Sequence, residues 1–155
     1  MRRLTGVLLL VLLAGCSTLL NLEEPDYSLR SITTTPRIAI PLRDSTIDFN
    51  FLIEIQNPND FGLTLDGIEV DLFLNGQQIT RSVSSYNVRV PASGIGDARL
   101  HTTVDYESIR SMFNELVRAV EDGEAEYGLR GKAWFKTPLG RVSFPIDLQG
   151  RERGW

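Results

Sequence analysis

Thr46-Ile47-Asp48-Phe49-Asn50-Phe51-Leu52-Ile53-Glu54-Ile55-Gln56-Asn57-Pro58-Asn59-Asp60 carries the clearest local signal in the chain. Ile47, Phe49, Phe51, Ile53 and Ile55 alternate with Asp48, Asn50, Glu54 and Gln56, and only Leu52 breaks the polar phase. Successive side chains of a strand point to opposite faces, so this spacing predicts a long strand with one face buried. Pro58 has no N–H to continue a ladder, and Asn and Asp bond to their own backbone, so 57–60 predicts a turn.

The same period continues on both sides. Leu63 and Leu65, then Ile68, Val70, Leu72 and Leu74, form a second strand whose apolar phase changes across Gly67, as at a β-bulge. Asn75-Gly76 is a hairpin pair, and Gln77–Ser84 is a polar return strand at an edge. Val88 and Val90 lead into a Pro91-Ala92-Ser93-Gly94 turn. Leu100, Thr102 and Val104 form the next strand. Tyr127, Leu129, Ala133 and Phe135 follow, with Gly131 in phase. Pro138-Leu139-Gly140 turns the chain into Val142, Phe144, Ile146 and Leu148, while 28–34 and 38–40 are shorter candidates. One segment departs from the pattern. Ile109, Met112, Phe113, Leu116, Val117 and Val120 fall at helical spacing, with Asp105 as N-cap and Gly123 as the stop; this stripe is expected to pack on the core. About seven antiparallel strands with one helix over about 105–122 predict an all-β sandwich of immunoglobulin or fibronectin-III type.

The first fifteen residues are not part of that domain. Met1-Arg2-Arg3 is a basic start, Leu4–Leu13 an apolar run of about ten residues, and Ala14-Gly15 are small. Such a run is half of what crosses a bilayer as a helix. Residues 1–15 therefore predict a signal peptide, 16–26 a tether, 27–150 the sandwich and 151–155 a C-terminal tail containing Trp155. Without 1–15, 14 basic and 20 acidic side chains leave a formal charge of −6. That balance disfavours nucleic acid, which needs a basic face, and a polybasic hold on anionic lipid. With one cysteine no internal disulfide can form.

Leu13-Ala14-Gly15-Cys16 resembles the lipobox of bacterial lipoproteins. The resemblance implies cleavage between Gly15 and Cys16, diacylglycerol on the Cys16 thiol and acylation of the freed amine. Two or three acyl chains make such attachment effectively permanent, since each buried methylene contributes about 0.8 kcal/mol. Ser17 after the cysteine resembles the pattern sorted to the outer membrane in Gram-negative bacteria, on its periplasmic side. In a Gram-positive cell the anchor would sit in the plasma membrane.

A wider resemblance rests on an ordered set: the alternating strand ending in Asn57-Pro58-Asn59, Leu63-x-Leu65-x-Gly67-Ile68, Asn75-Gly76, Val90-Pro91-Ala92-Ser93-Gly94, and Tyr127-x-Leu129-x-Gly131 after the helix. It resembles the water-stress and hypersensitive-response domain of type 2 late embryogenesis abundant proteins and bacterial lipoproteins, over roughly residues 28–149. The resemblance implies a folded β-sandwich, a stress-associated protective or interaction role, and no established enzymatic activity. Asn57, Pro58 and Asn59 are its motif residues, expected to build a turn whose asparagines cap exposed backbone groups.

No catalytic set emerges. His101, the only histidine, lies in a polar phase and is expected to be an exposed sheet residue; no Cys/His group makes a metal site, and no cofactor is expected. Asp44, Asp48, Asp66, Glu69 and Asp71 fit a solvated sheet face. Phe73 and Trp134, the latter beside Lys132 and Lys136, stand in polar phases as a candidate surface patch, or are covered by the helix or tether. The expected role is binding in the cell envelope, with a membrane anchor and an envelope protein as partners, under desiccation or osmotic stress. An apolar-ligand carrier or a structural subunit of an envelope assembly is the alternative.

Overall fold

A computed structural model describes residues 22–153 apart from Met112 and Gly123; the side chains of Glu115, Leu116, Ala119, Val120, Asp122, Glu124, Glu152 and Arg153 also lie outside it. Seven antiparallel strands form two sheets: β1 (Asp26–Arg37), β2 (Thr46–Gln56), β3 (Leu63–Leu74), β4 (Gln77–Val90), β5 (Ile95–Asp105), β6 (Glu124–Thr137) and β7 (Gly140–Arg153). The sheet orders are β1-β2-β5 and β4-β3-β6-β7. The sandwich expected from period-2 spacing is therefore the observed fold. Between β5 and β6 lie α1 (Tyr106–Ser111) and α2 (Phe113–Asp122). No described helix is long and apolar enough to cross a membrane.

The core follows the alternation. Phe49, Phe51, Ile53 and Ile55 from β2 meet Leu63, Leu65, Ile68, Val70, Leu72 and Leu74 from β3, and Tyr127, Leu129, Ala133 and Phe135 from β6. Phe49 stacks beside Phe51 and meets the Tyr127 ring edge-on at 6.3 Å, so aromatic contact ties one sheet to the other. The bulge expected near Gly67 is present as a register shift between Leu65 and Gly67. Asn75 and Gly76 have φ of +47° and +81°, as a type I′ hairpin turn requires.

Several expectations need correction. β4 runs unbroken through Val88 to Val90, and β7 continues to Arg153, so 151–153 are strand residues paired with 124–126 rather than a tail. Gly154 and Trp155 lie outside the described residues. Residues 38–40 are not a strand; they belong to the exposed loop between β1 and β2. The helical stripe is only partly engaged, because Ile109 packs against the core while Phe113 is 61% exposed. Asp105 caps α1 as expected, its Oδ1 accepting from Ser108 N at 2.8 Å.

Candidate functional site

The turn after β2 is where the chain's three expected motif residues come together. Asn57 and Asn59 are buried, while Pro58 between them is exposed. Asn57 Nδ2 donates to Phe61 O and to Pro91 O, both at 2.8 Å. Its Oδ1 accepts from Asn59 N at 3.0 Å and from Asn59 Nδ2 at 2.9 Å. Two donors and two acceptor positions exhaust the bonding capacity of a carboxamide. Asn59 then reaches outward: Nδ2 donates to Glu23 O at 2.9 Å, and Oδ1 accepts from Glu23 N at 2.8 Å. Backbone bonds from Asn57 N to Gly94 O and from Ser93 N to Asn59 O close the arrangement.

Three segments thus meet in one network: the turn 57–61, the β4–β5 turn 91–94, and the stretch leading into β1. The asparagine side chains are buried, and the backbone groups they bond belong to the exposed residues Glu23 and Pro91 and to the half-buried Phe61. Residues 22–26, expected to be flexible tether, are held as well. Leu22 packs against the core, Pro25 is buried, and Glu23 is gripped through both backbone groups. Leu13, Ala14, Gly15 and Cys16 lie outside the described residues.

Sequence reading missed a second polar group, on the outer face of β1-β2-β5. The β2–β5 register sets Asp48 opposite Thr103 and Asn50 opposite His101. Asp48 is 5% exposed rather than solvated; it accepts from Thr103 Oγ1 at 2.7 Å and pairs with Arg37 Nε at 2.7 Å. His101 is exposed as expected, donating through Nδ1 to Asn50 Oδ1 at 3.0 Å, with Nε2 3.9 Å from Asp48. A nucleophile needs a base positioned to take its proton. Here Thr103 Oγ1 donates to Asp48 Oδ1 and lies 3.4 Å from His101 Nε2, while Asn50 orients the imidazole. Among the described residues, no three His, Cys, Asp or Glu side chains are grouped to hold a metal ion.

On the other outer face, Phe73 and Trp134 keep the outward phase but are half-buried, each under an arginine: Arg130 lies 5.0 Å from the Phe73 ring and Arg141 5.7 Å from that of Trp134. Asp66 pairs with Lys136 at 2.6 Å and Arg141 at 2.9 Å, while Glu69 and Asp71 share Arg81. Asp44 alone of the acidic set is exposed, with Arg43 Nε 3.9 Å away.

These pairings set a pH response. The Thr103 hydrogen bond, then Arg37 and His101, hold the Asp48 carboxyl below its usual range. Lys136 and Arg141 do the same for Asp66, and the Ser108 N–H for Asp105. A carboxyl lowered by folding stabilises the native state above its unfolded pKa and loses that contribution as pH falls through the folded one. Thermal melts are therefore expected to hold steady down to about pH 5 and to fall below about pH 4. Asp48→Asn flattens that acid limb.

A sequence profile described as late embryogenesis abundant protein matches residues 52–150, from within β2 to near the end of β7. The chain belongs to this family. Its sandwich recurs in solved structures. A solution structure from Arabidopsis thaliana superposes with a TM-score of 0.68 at 16% identity, covering 85% of this chain and 83% of its own. Another, of a protein assigned to the late embryogenesis abundant (LEA) group, gives 0.53 at 17% identity, covering 96% and 84%. A crystal structure of a protein from Archaeoglobus fulgidus gives 0.52 at 12% identity, covering 83% and 98%. At these identities the likeness is one of fold. None of the curated protein sequences matches the chain. For this late embryogenesis abundant protein, Asn57, Pro58 and Asn59 all fall inside the family match.

Proposed function

We propose that this late embryogenesis abundant protein is a lipid-anchored cell-envelope sandwich that acts by binding, in protection against water loss, and not by catalysis. The observation that carries this reading is the grip of Asn59 on Glu23, seven residues after Cys16 in the sequence. With Cys16 acylated and Leu22 docked, five residues (six steps along the chain) separate anchor from domain, a reach of about 20 Å at full extension. The motif then holds the sandwich close to its membrane, with the 57–61 and 91–94 turns facing the surface. In a Gram-negative cell, Ser17 directs the anchor to the periplasmic side of the outer membrane. Family membership supports the water-stress role.

Survival after drying tests the protective part. A strain lacking the protein is expected to lose viability relative to its parent, with restoration by the intact gene; equal survival contradicts the reading. A crosslinking pull-down from intact cells tests the binding part, with one recurrent envelope protein as the expected product.

A further inference from the structure

Four large apolar side chains stand in solvent at the helix end of the sandwich, opposite the Asn57 turn. Ile38 is 83% exposed, Ile40 98%, Leu42 59% and Phe113 61%. The first three lie in Arg37-Ile38-Ala39-Ile40-Pro41-Leu42-Arg43, the loop joining β1 to β2. Backbone and side-chain bonds shape this loop. Ala39 N donates to Ser45 Oγ at 3.0 Å, Asp44 N to Pro41 O and Ser45 N to Leu42 O. α1 packs beside the 42–44 turn, and Phe113 opens α2 just beyond it. Leaving an Ile or Leu in water forgoes roughly 1.5–3 kcal/mol relative to burial, so a built loop that presents three of them is matched to an apolar phase.

The charge pattern selects which phase. The prongs are separated by Ala39 and Pro41 and bracketed by Arg37, paired through Nε with Asp48 at 2.7 Å, and Arg43, with Nε 3.9 Å from Asp44; the two arginine side chains are still 72% and 79% exposed. A protein pocket would have to be shaped to several separate prongs. A bilayer interface admits them without a preformed site and offers phosphates at the depth where flanking guanidiniums come to rest. We propose that this tip enters the interfacial layer of a phospholipid bilayer, with Ile38, Ile40 and Leu42 in the acyl boundary and Arg37 and Arg43 at the headgroups. The inference does not rest on the lipid anchor. The eleven residues of β2 separate the tip from the Asn57 turn by about 35 Å, so an anchored molecule presents the tip to a facing surface.

The test places an environment-sensitive NBD label at Ile40→Cys in the full chain carrying Cys16→Ser, which leaves one thiol. A second sample carries the label at Ser85→Cys on β4. Vesicles of phosphatidylethanolamine and phosphatidylglycerol are expected to shift the emission of the label at 40 to the blue and to expose it to quenching by spin-labelled lipid. The label at 85 stays in water. Phosphatidylcholine vesicles give a weaker shift, since they keep the phosphate but lack the net negative charge. Ile38→Ser with Leu42→Ser lowers the vesicle-bound fraction about tenfold or more. No shift at 40 on either vesicle, or an equal shift at 85, overturns the proposal. A tip that crosslinks to an envelope protein but stays unshifted on vesicles also overturns it, in favour of a protein partner.

Discussion

Asn57→Ala is expected to destabilise the fold by on the order of 3–5 kcal/mol, lowering the melting temperature by on the order of 10–20 °C. The side chain removed is the one whose bonding capacity is full. Its loss strands Phe61 O and Pro91 O, which it serves as donor, and Asn59 N, which it serves as acceptor, and leaves Asn59 Nδ2 with Glu23 O alone. Each buried polar group left unpaired costs about 1–3 kcal/mol, with partial relief where water enters. Asn57→Asp separates this from a cavity effect. The carboxylate keeps the shape and the acceptors but turns oxygen toward two carbonyls, so it should be at least as harmful at neutral pH. If either variant melts within about 1 kcal/mol of the parent, the network is not what holds the turns together. Asn59→Ala should cost less, because Glu23 can reach solvent. Its expected signature is local: faster amide exchange at Glu23 with little change in the strands.

Gly131→Ala is expected to abolish stable folding, a loss beyond about 4 kcal/mol. Gly131 sits opposite Val70 in the β3–β6 pair. A methyl group there would fall inside the Glu69 carbonyl oxygen and only 2.7 Å from Val70 Cα. Both obstacles are backbone of a central strand, so no side chain can swing aside; the two strands must part in the middle of the sheet. Gly128→Ala, three residues earlier on β6, supplies the control. Its methyl would meet Phe73 Cβ at 3.5 Å, an ordinary contact, and should leave stability within about 1 kcal/mol of the parent. Soluble yield and urea denaturation of the two variants make the comparison. Equal behaviour would mean that close approach of β3 and β6 is not required.

How far the sequence reveals this molecule depends on how local each cause is. Ile47 to Ile55 declare a strand because period-2 alternation is written in the strand itself. Asn75-Gly76 declares its turn because positive φ at two successive residues selects those side chains. The 38–40 segment alternates too, yet nothing packs over it, and alternation alone does not reveal whether a second layer exists. Phe113 sits on a helical stripe for the same reason and still faces solvent. Asp48 looks like a solvated strand residue until the β2–β5 register sets Thr103 opposite it and β1 brings Arg37 alongside. Asn57 and Asn59 carry a turn signal within four residues. Their decisive partners, Pro91 and Glu23, lie 34 and 36 residues away, so the turn was legible and the network was not.

If the Cys16 thiol is acylated, five residues lie between it and a docked Leu22, and the asparagine motif keeps the sandwich at the surface. Metabolic labelling of intact cells with radioactive palmitate measures this most directly, comparing the wild-type chain with Cys16→Ser. The expected result is label on a processed wild-type band in the membrane fraction, and an unlabelled Cys16→Ser chain that retains residues 1–15. Label on the Cys16→Ser chain, or a wild-type chain without label, contradicts the anchor and with it the membrane-held sandwich.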